Sequence, residues 1–254
     1  MRILVIGDSC TDMFRYGKCD RLSPEAPVPV FNPKDTKVNG GMALNVAENI
    51  KALGAECDII TNDLRPTKTR IIDITSNQLI VRIDENDDVI KEIDIDTLNN
   101  INYQLYDAVI ISDYNKGFLS EEVIYNISKN HNNVFLDTKK KIGNWVSKIN
   151  FIKINQSEFE NNGEWFAENE FNGDLIVTYG KKGAVLNHNY NNQFSIKDEH
   201  PVRDLSGAGD TFLAGLTVGY LREDIESAIH FANRCASWVV TQKSVVTIDP
   251  NKLI

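Results

Sequence analysis

Residues 42–60 read MALNVAENIKALGAECDII. Within 42–53, Val46, Ile50 and Leu53 fall on one helical face, and Gly54 stands where a left-handed C-cap would end the helix. The following ECDII (56–60) reads as a strand. Upstream, RILVI (2–6) is a short apolar run closed by Gly7, the pattern of a strand buried on both faces. Together these segments predict a β-α-β opening. Further buried strands are predicted at 107–112 (DAVIIS), 133–136 (NVFL), 150–154 (NFIKI) and 174–178 (DLIVT). Helical segments fall between several of them, for instance at 120–130, and a long helix is predicted at 225–240. Strands alternating with helices give an α/β fold whose mostly parallel central sheet is covered on both faces.

Two regions break that pattern. Residues 21–36 carry prolines at 24, 27, 29 and 33. Residues 68–93 interleave β-branched and polar residues, as strands with one exposed face do. Both read as a small β lid inserted into the body. The chain is thus one domain, 1–254, with lid segments at about 9–36 and 66–93. The Asn-rich stretch NHNYNN (187–192) reads as turns.

Bulk composition narrows the partners. The 254 residues carry a net charge of -9, which repels nucleic-acid backbone and anionic lipid, so neither is an expected partner. A locally basic pocket on such a protein still accommodates a small anionic substrate. No stretch of about 18 apolar residues spans a membrane, and the N-terminal run is too short for a signal peptide. Cys10, Cys19, Cys57 and Cys235 form no C-x-x-C pair and read as reduced thiols of a cytoplasmic protein. His131, His188, His200 and His230 have no ligand spacing, so no structural metal is expected.

The stretch with the most chemistry is VRDLSGAGDTFLAG (202–215). Small residues let a backbone approach a phosphate closely, and free N–H groups at a helix start bind anions. Asp210, at that helix start, is placed to accept the proton of an attacking hydroxyl while the amides hold the transferring phosphoryl group. In isolation, Gly207 and Gly209 would suit a plain turn with Asp210 as a helix cap. The length of the motif, from Asp204 to Gly215, favours the phosphate reading.

This motif resembles the D-x-[TS]-G-A-G-D signature of the ribokinase-like carbohydrate kinases, the phosphofructokinase B family. The resemblance implies a three-layer α/β sandwich with a small β lid, and an ATP-dependent sugar kinase using Mg2+. It makes Asp210 the base and Gly207, Ala208 and Gly209 an anion hole. Asp204 and Ser206, which stands for the family's Thr, fall with the nucleotide-binding residues. Asn39-Gly40-Gly41 followed by Asn45 is similar to the motif that packs under the sugar; taken alone, the glycines equally suit a turn before a helix. Asn155-x-x-Glu158 is similar to the N-x-x-E motif that organises Mg2+ and phosphate, Glu158 acting through water; taken alone, the pair reads as a helix cap and a solvated acid. Thr178, Gly180 and Gly183 resemble the turn that borders the nucleotide. Asn233 falls where the family places a residue near adenine, although polar residues on such helices are more often structural. Family members often pair through the lid, so a homodimer is an expectation.

A narrower resemblance covers nearly the whole chain. GDSCTDMFRYG (7–17), RLSPEAPVPVF (21–31), NGGMALNVAENI (39–50), KTR (68–70), NQLIVRID (77–84), SDYNKG (112–117), DTK (137–139) and FANRCASWVV (231–240) are similar to the heptose 7-phosphate 1-kinases of lipopolysaccharide precursor synthesis. The implied acceptor is D-glycero-D-manno-heptose 7-phosphate. Asp8 and Asp12 would bind sugar hydroxyls. Arg21, Lys68, Arg70 and Lys116 are candidates for the distal phosphate, or simply solvated strand-edge charges. Asp113 and Asp137 stand at strand ends that face the site, or serve as caps. The rival readings are a kinase for another sugar, such as ribose or fructose, and a binding homologue that has lost catalysis. The chain departs from the family after Asn62, where a helix and strand are missing before Pro66, and at Lys243-Ser244-Val245, which replaces Gly-Thr. No H-x-G-H motif is present, so no nucleotidyltransferase activity is expected.

Overall fold

Alternation along the buried strands sorts the layers. Ile3, Val5, Ala108, Ile110, Phe135, Phe151 and Ile176 point into one core, while Leu4, Ile6, Val109, Ile111, Leu136, Ile152 and Val177 point into another. Both faces of the sheet are therefore apolar, which is why these strands read as unbroken hydrophobic runs. The structure is a computed structural model and describes residues 1–196 and 201–253; His200 lies outside them.

Strand β1 (Arg2–Gly7) leads almost directly into β2 (Ser9–Lys18), and β3 (Asn32–Met42) returns to α1 (Ala43–Ala52). Then come β4 (Glu56–Thr61), β5 (Thr67–Asp73), β6 (Gln78–Glu85), α2 (Ile95–Asn99), β7 (Ala108–Asp113), α3 (Glu121–Ser128) and β8 (Val134–Thr138). The rest is β9 (Phe151–Asn155), α4 (Gln156–Glu168), β10 (Asp174–Thr178), β11 (Ala184–Leu186), β12 (Gln193–Phe194), α5 (Ala208–Tyr220) and α6 (Ile225–Val239). The body is one eight-stranded sheet, β12-β11-β10-β9-β8-β7-β1-β4, antiparallel only at the β10-β11-β12 end. Helices α1, α5 and α6 cover the first core, and α3 packs into the second.

The lid is a separate four-stranded sheet, β3-β2-β5-β6. It is built from less of the predicted segments than the sequence suggests. Residues 19–31 form an irregular loop held by one bridge between Leu22 and Pro29, because the prolines there cannot donate to a ladder. Residues 86–93 also lie outside any strand. Conversely, Gly40 and Gly41 are not a turn before α1: they close β3, with Gly41 paired to Cys10. Body and lid are joined across residues 62–66, where Asn62 receives the Ser9 amide at 2.7 Å and donates to the Leu64 carbonyl at 2.6 Å.

Candidate active site

Helix α5 starts at Ala208 because Gly207 adopts φ 81°, a left-handed conformation. A Cβ at Gly207 would also come within 2.7 Å of Asn45 Nδ2. No side chain caps this helix; the Ala208 amide donates to the Leu205 carbonyl at 3.3 Å, so of the predicted anion hole the Gly209 amide and the positive end of the dipole are what an anion would meet.

Asp210 lies in that first turn and is 4% exposed. Asn45 Nδ2 donates to Oδ2 at 2.9 Å, and the Tyr114 hydroxyl donates to Oδ1 at 2.5 Å. Asn45 is oriented by Asn49, one helical turn on, whose amide donates to Asn45 Oδ1 at 3.0 Å. Asn49 in turn receives the Ile248 amide at 2.9 Å, which ties the C-terminal segment to Asp210 through Asn45. Burial pushes the Asp210 carboxyl up to about 6; the bonds from Tyr114 and Asn45 oppose it, Asp137 adds to it and Lys153 opposes it. A base must be ionised, so kcat/KM is expected to fall about tenfold per pH unit below pH 6. A rate profile flat down to about pH 4.5 would contradict this assignment. Asn45→Ala removes a bond to the charged form; the acid limb should then move to higher pH, with kcat/KM near pH 6 falling about tenfold.

Beside this helix start is an apolar cavity of about 470 Å³, walled by Gly180, Gly183, Leu205, Gly209 and Phe212. Thr178 and Asn233 also line it. Asn233 donates to the Phe194 carbonyl at 2.8 Å, so it is both a structural tie and a wall of the cavity. Gly180–Lys182 form the turn that links β10 to antiparallel β11. Such a slot, apolar with a few polar edges and with a helix N-terminus at its end, suits a nucleotide base. Asp204 and Ser206 do not line it. Asp204 accepts the Ser206 amide at 2.9 Å, and the turn so formed faces both residues toward a smaller cavity of about 180 Å³ with Tyr16, Arg70 and Lys243. A further cleft of about 1160 Å³ lies between α3, α4 and the start of β10 and contains none of the sequence-predicted site residues.

Asn155 and Glu158 form a capping box on α4: Asn155 Oδ1 accepts the Glu158 amide at 2.9 Å, and Glu158 Oε2 accepts the Asn155 amide at 2.8 Å. Glu158 Oε1 is paired with Lys139. Burial works against the Lys139 ammonium, yet Asp137 and Glu158 outweigh it and hold its pKa above the usual lysine value. Lys153 is 4% exposed and pairs with Asp137 at 2.6 Å. Its Nζ lies only 3.1 Å from where a Gly209 Cβ would sit, so a buried cation stands directly against the glycine turn.

In the lid, register sets the inner face. Asp12 and Lys68 are partners across β2 and β5, as are Phe14 and Arg70, so all four point the same way. Arg70 donates to Asp12 at 2.5 Å, and a Cβ at Gly41 would strike Asp12 Oδ2 at 2.2 Å. Lys68 lies 6.0 Å from the Tyr114 ring centroid. Other predicted residues are engaged by the protein itself. Asp8 accepts the amides of Tyr114, Lys116 and Phe118 at 2.7, 3.3 and 3.2 Å. Asp113 accepts from Thr138 and Lys140 at 2.5 and 2.8 Å, and Lys116 pairs with Asp87 at 2.5 Å. Arg21 is exposed on the 19–31 loop and makes no hydrogen bond or ion pair with this cluster.

Tyr114, Lys139, Lys153 and Asn49 were not singled out from the sequence. Lysine inside the apolar run NFIKI was the available signal for Lys153, since an unpaired buried ammonium is too costly to keep.

Residues 56–252 match the family described as pfkB family carbohydrate kinase. The chain belongs to that family. As a pfkB-family protein it is a sugar kinase, and kinases of this family take ATP as a substrate. It is 32% identical over 294 residues to the bifunctional protein HldE of a Nitratiruptor species, with 97% of this chain and 63% of that protein covered. This pfkB kinase thus spans less than two thirds of the length of that relative. Among solved structures, phosphofructokinase-2 of Escherichia coli in complex with potassium superposes with a TM-score of 0.73 at 14% identity, covering 99% of this chain and 96% of that one. Ribokinase of Arabidopsis thaliana complexed with ribose and ATP gives 0.67 at 17% identity, covering 99% and 97%. The kinase therefore has the ribokinase-like fold, and among its described residues no helix is long and apolar enough to cross a membrane.

Proposed function

We propose that this kinase transfers the γ-phosphoryl group of ATP to O1 of D-glycero-D-manno-heptose 7-phosphate, giving the 1,7-bisphosphate and ADP. The observation that carries the reading is Asp210: a buried carboxylate with a pKa of about 6, in the first turn of an uncapped helix, next to an apolar cavity and under a lid with Lys68 and Arg70 on its inner face. The heptose assignment is supported by the resemblance through residues 21–31 and by the HldE relatives.

In this mechanism the acceptor oxygen bonds to the γ-phosphorus as its proton passes to Asp210, and the bond to ADP breaks. The Gly209 amide and the positive end of α5 hold the charge spread over the phosphoryl oxygens, with Lys153 directly behind. Thr178, Gly180, Gly183 and Asn233 wall the base of ATP, while Asp12, Gly40, Gly41 and Arg70 shape the sugar side. Both Glu158 oxygens are taken, by the Asn155 amide and Lys139, and Asp137 Oδ1 is buried without a partner. This set fits no dedicated protein cage; Mg2+ carried by the ATP phosphates would be held by Glu158, through water, and by Asp137. Bound there, Mg2+ would neutralise phosphate charge.

The reading includes a cytoplasmic homodimer. The outward lid face exposes Val38, Val81 and Ile83, and a second copy of the lid would cover them. A Val81→Lys variant should sediment as a monomer where the parent sediments as a dimer.

The deciding assay is coupled ADP release with a panel of acceptors. Heptose 7-phosphate should be turned over in preference to free ribose and fructose. Turnover of ribose or fructose without heptose 7-phosphate would overturn the heptose assignment; no turnover of any sugar would overturn the catalytic one.

A further inference from the structure

Both oxygens of the Asp210 carboxylate are occupied by the protein's own donors, Asn45 at 2.9 Å and the Tyr114 hydroxyl at 2.5 Å. An O–H donating to this carboxylate is the same contact that an acceptor alcohol makes as it gives up its proton. We propose that Tyr114 is a positioning residue that stands in for the acceptor alcohol, its hydroxyl holding the base until the sugar displaces it and thereby keeping water from being activated against ATP. This rests on Asp210 being the base.

The surroundings of Tyr114 suit a side chain that turns on a fixed backbone. Its own amide and those of Lys116 and Phe118 are all anchored on Asp8. Its ring has Lys68 at 6.0 Å, from the lid, and Lys139 at 5.5 Å, from the turn after β8. Lys139 is held by Glu158, whereas Lys68 has only the ring face to leave for an arriving phosphate, since a cation on an aromatic face gains less than one on a phosphate. The phenol, pushed well above its ordinary pKa by burial, stays protonated and donates.

The reaction suppressed is ATP hydrolysis. A water oxygen would bond to the γ-phosphorus, the bond to the β-γ bridging oxygen would break with its electron pair leaving on ADP, and the water proton would pass to Asp210. With the phenol in place, the position at Oδ1 that such a water would take is held by the Tyr114 hydroxyl.

The test uses Tyr114→Phe, which removes only the hydroxyl. ADP release from Mg-ATP is measured without sugar and with D-glycero-D-manno-heptose 7-phosphate. The ratio of sugar-independent to sugar-dependent release should rise about tenfold or more, and adding Asp210→Asn to Tyr114→Phe should abolish the leak. A ratio within about twofold of the parent's overturns the proposal. Should Asp210→Asn alone retain full sugar-dependent turnover, it is the base assignment that fails. A structure of the parent with the sugar phosphate bound gives a second reading that needs no variant. The contact between Tyr114 and Asp210 should open beyond about 3.5 Å, and its persistence also overturns the proposal.

Discussion

Asp210→Asn is expected to lower kcat/KM by about 10²–10⁴-fold while leaving ATP binding intact, because only the proton acceptor is removed. The same substitution should make the protein more stable. The folded-state pKa of this carboxyl is about 6 against an ordinary 3.8, so the folded protein holds the proton more tightly than the unfolded chain. Above pH 6 the charged group therefore works against folding; as pH falls through 6 toward 3.8 that penalty is relieved. A neutral amide removes the penalty outright, a gain of about 3 kcal/mol at pH 8 at most. It also keeps both contacts, its oxygen accepting from Asn45 and its NH2 donating to the Tyr114 oxygen. Urea titrations of parent and variant at about pH 8 and about pH 5 measure this directly. The gap between them should be wide at the higher pH and narrow at the lower. A variant that is inactive and also less stable at the higher pH would show that the carboxylate is not held at an energetic disadvantage.

Lys153→Met should destabilise the fold by about 3–5 kcal/mol, since it strands the Asp137 carboxylate in the core. That carboxylate already has one oxygen, Oδ1, without a partner, and Lys153 is its charge partner at 2.6 Å. Replacing both members together, Lys153→Met with Asp137→Leu, should recover most of the loss, because an apolar pair of similar volume is tolerated where a lone charge is not. Turnover should not return with it, since the cation behind Gly209 stays absent. Denaturant midpoints of the two variants separate these terms. Equal stability of Lys153→Met and the parent would mean that the ammonium contributes nothing to the buried pair.

Much of the body was legible from local pattern. The runs RILVI, DAVIIS and DLIVT are apolar at every core-facing position because both sheet faces are buried, and β1, β7 and β10 fall within a residue of the predicted spans. The G-A-G-D turn was equally readable, since a left-handed glycine before an uncapped helix is a local property of the chain. Lid boundaries were less so. Prolines and alternating residues mark a departure from the α/β pattern, but only pairing with β2 decides that β3 begins at Asn32 and carries Gly40 and Gly41 within it.

The sequence by itself determined the α/β body, the glycine-rich turn and the acid at its helix start, because each depends on residues close together in the chain. Only the tertiary structure decided what surrounds that acid. Asn45 reaches it across 165 positions and Tyr114 across 96, while Lys153 meets Asp137 from a neighbouring strand. Those contacts arise where parallel strands deliver their C-terminal ends to one edge of the sheet. Burial there, rather than any local motif, pushes the carboxyl pKa to about 6.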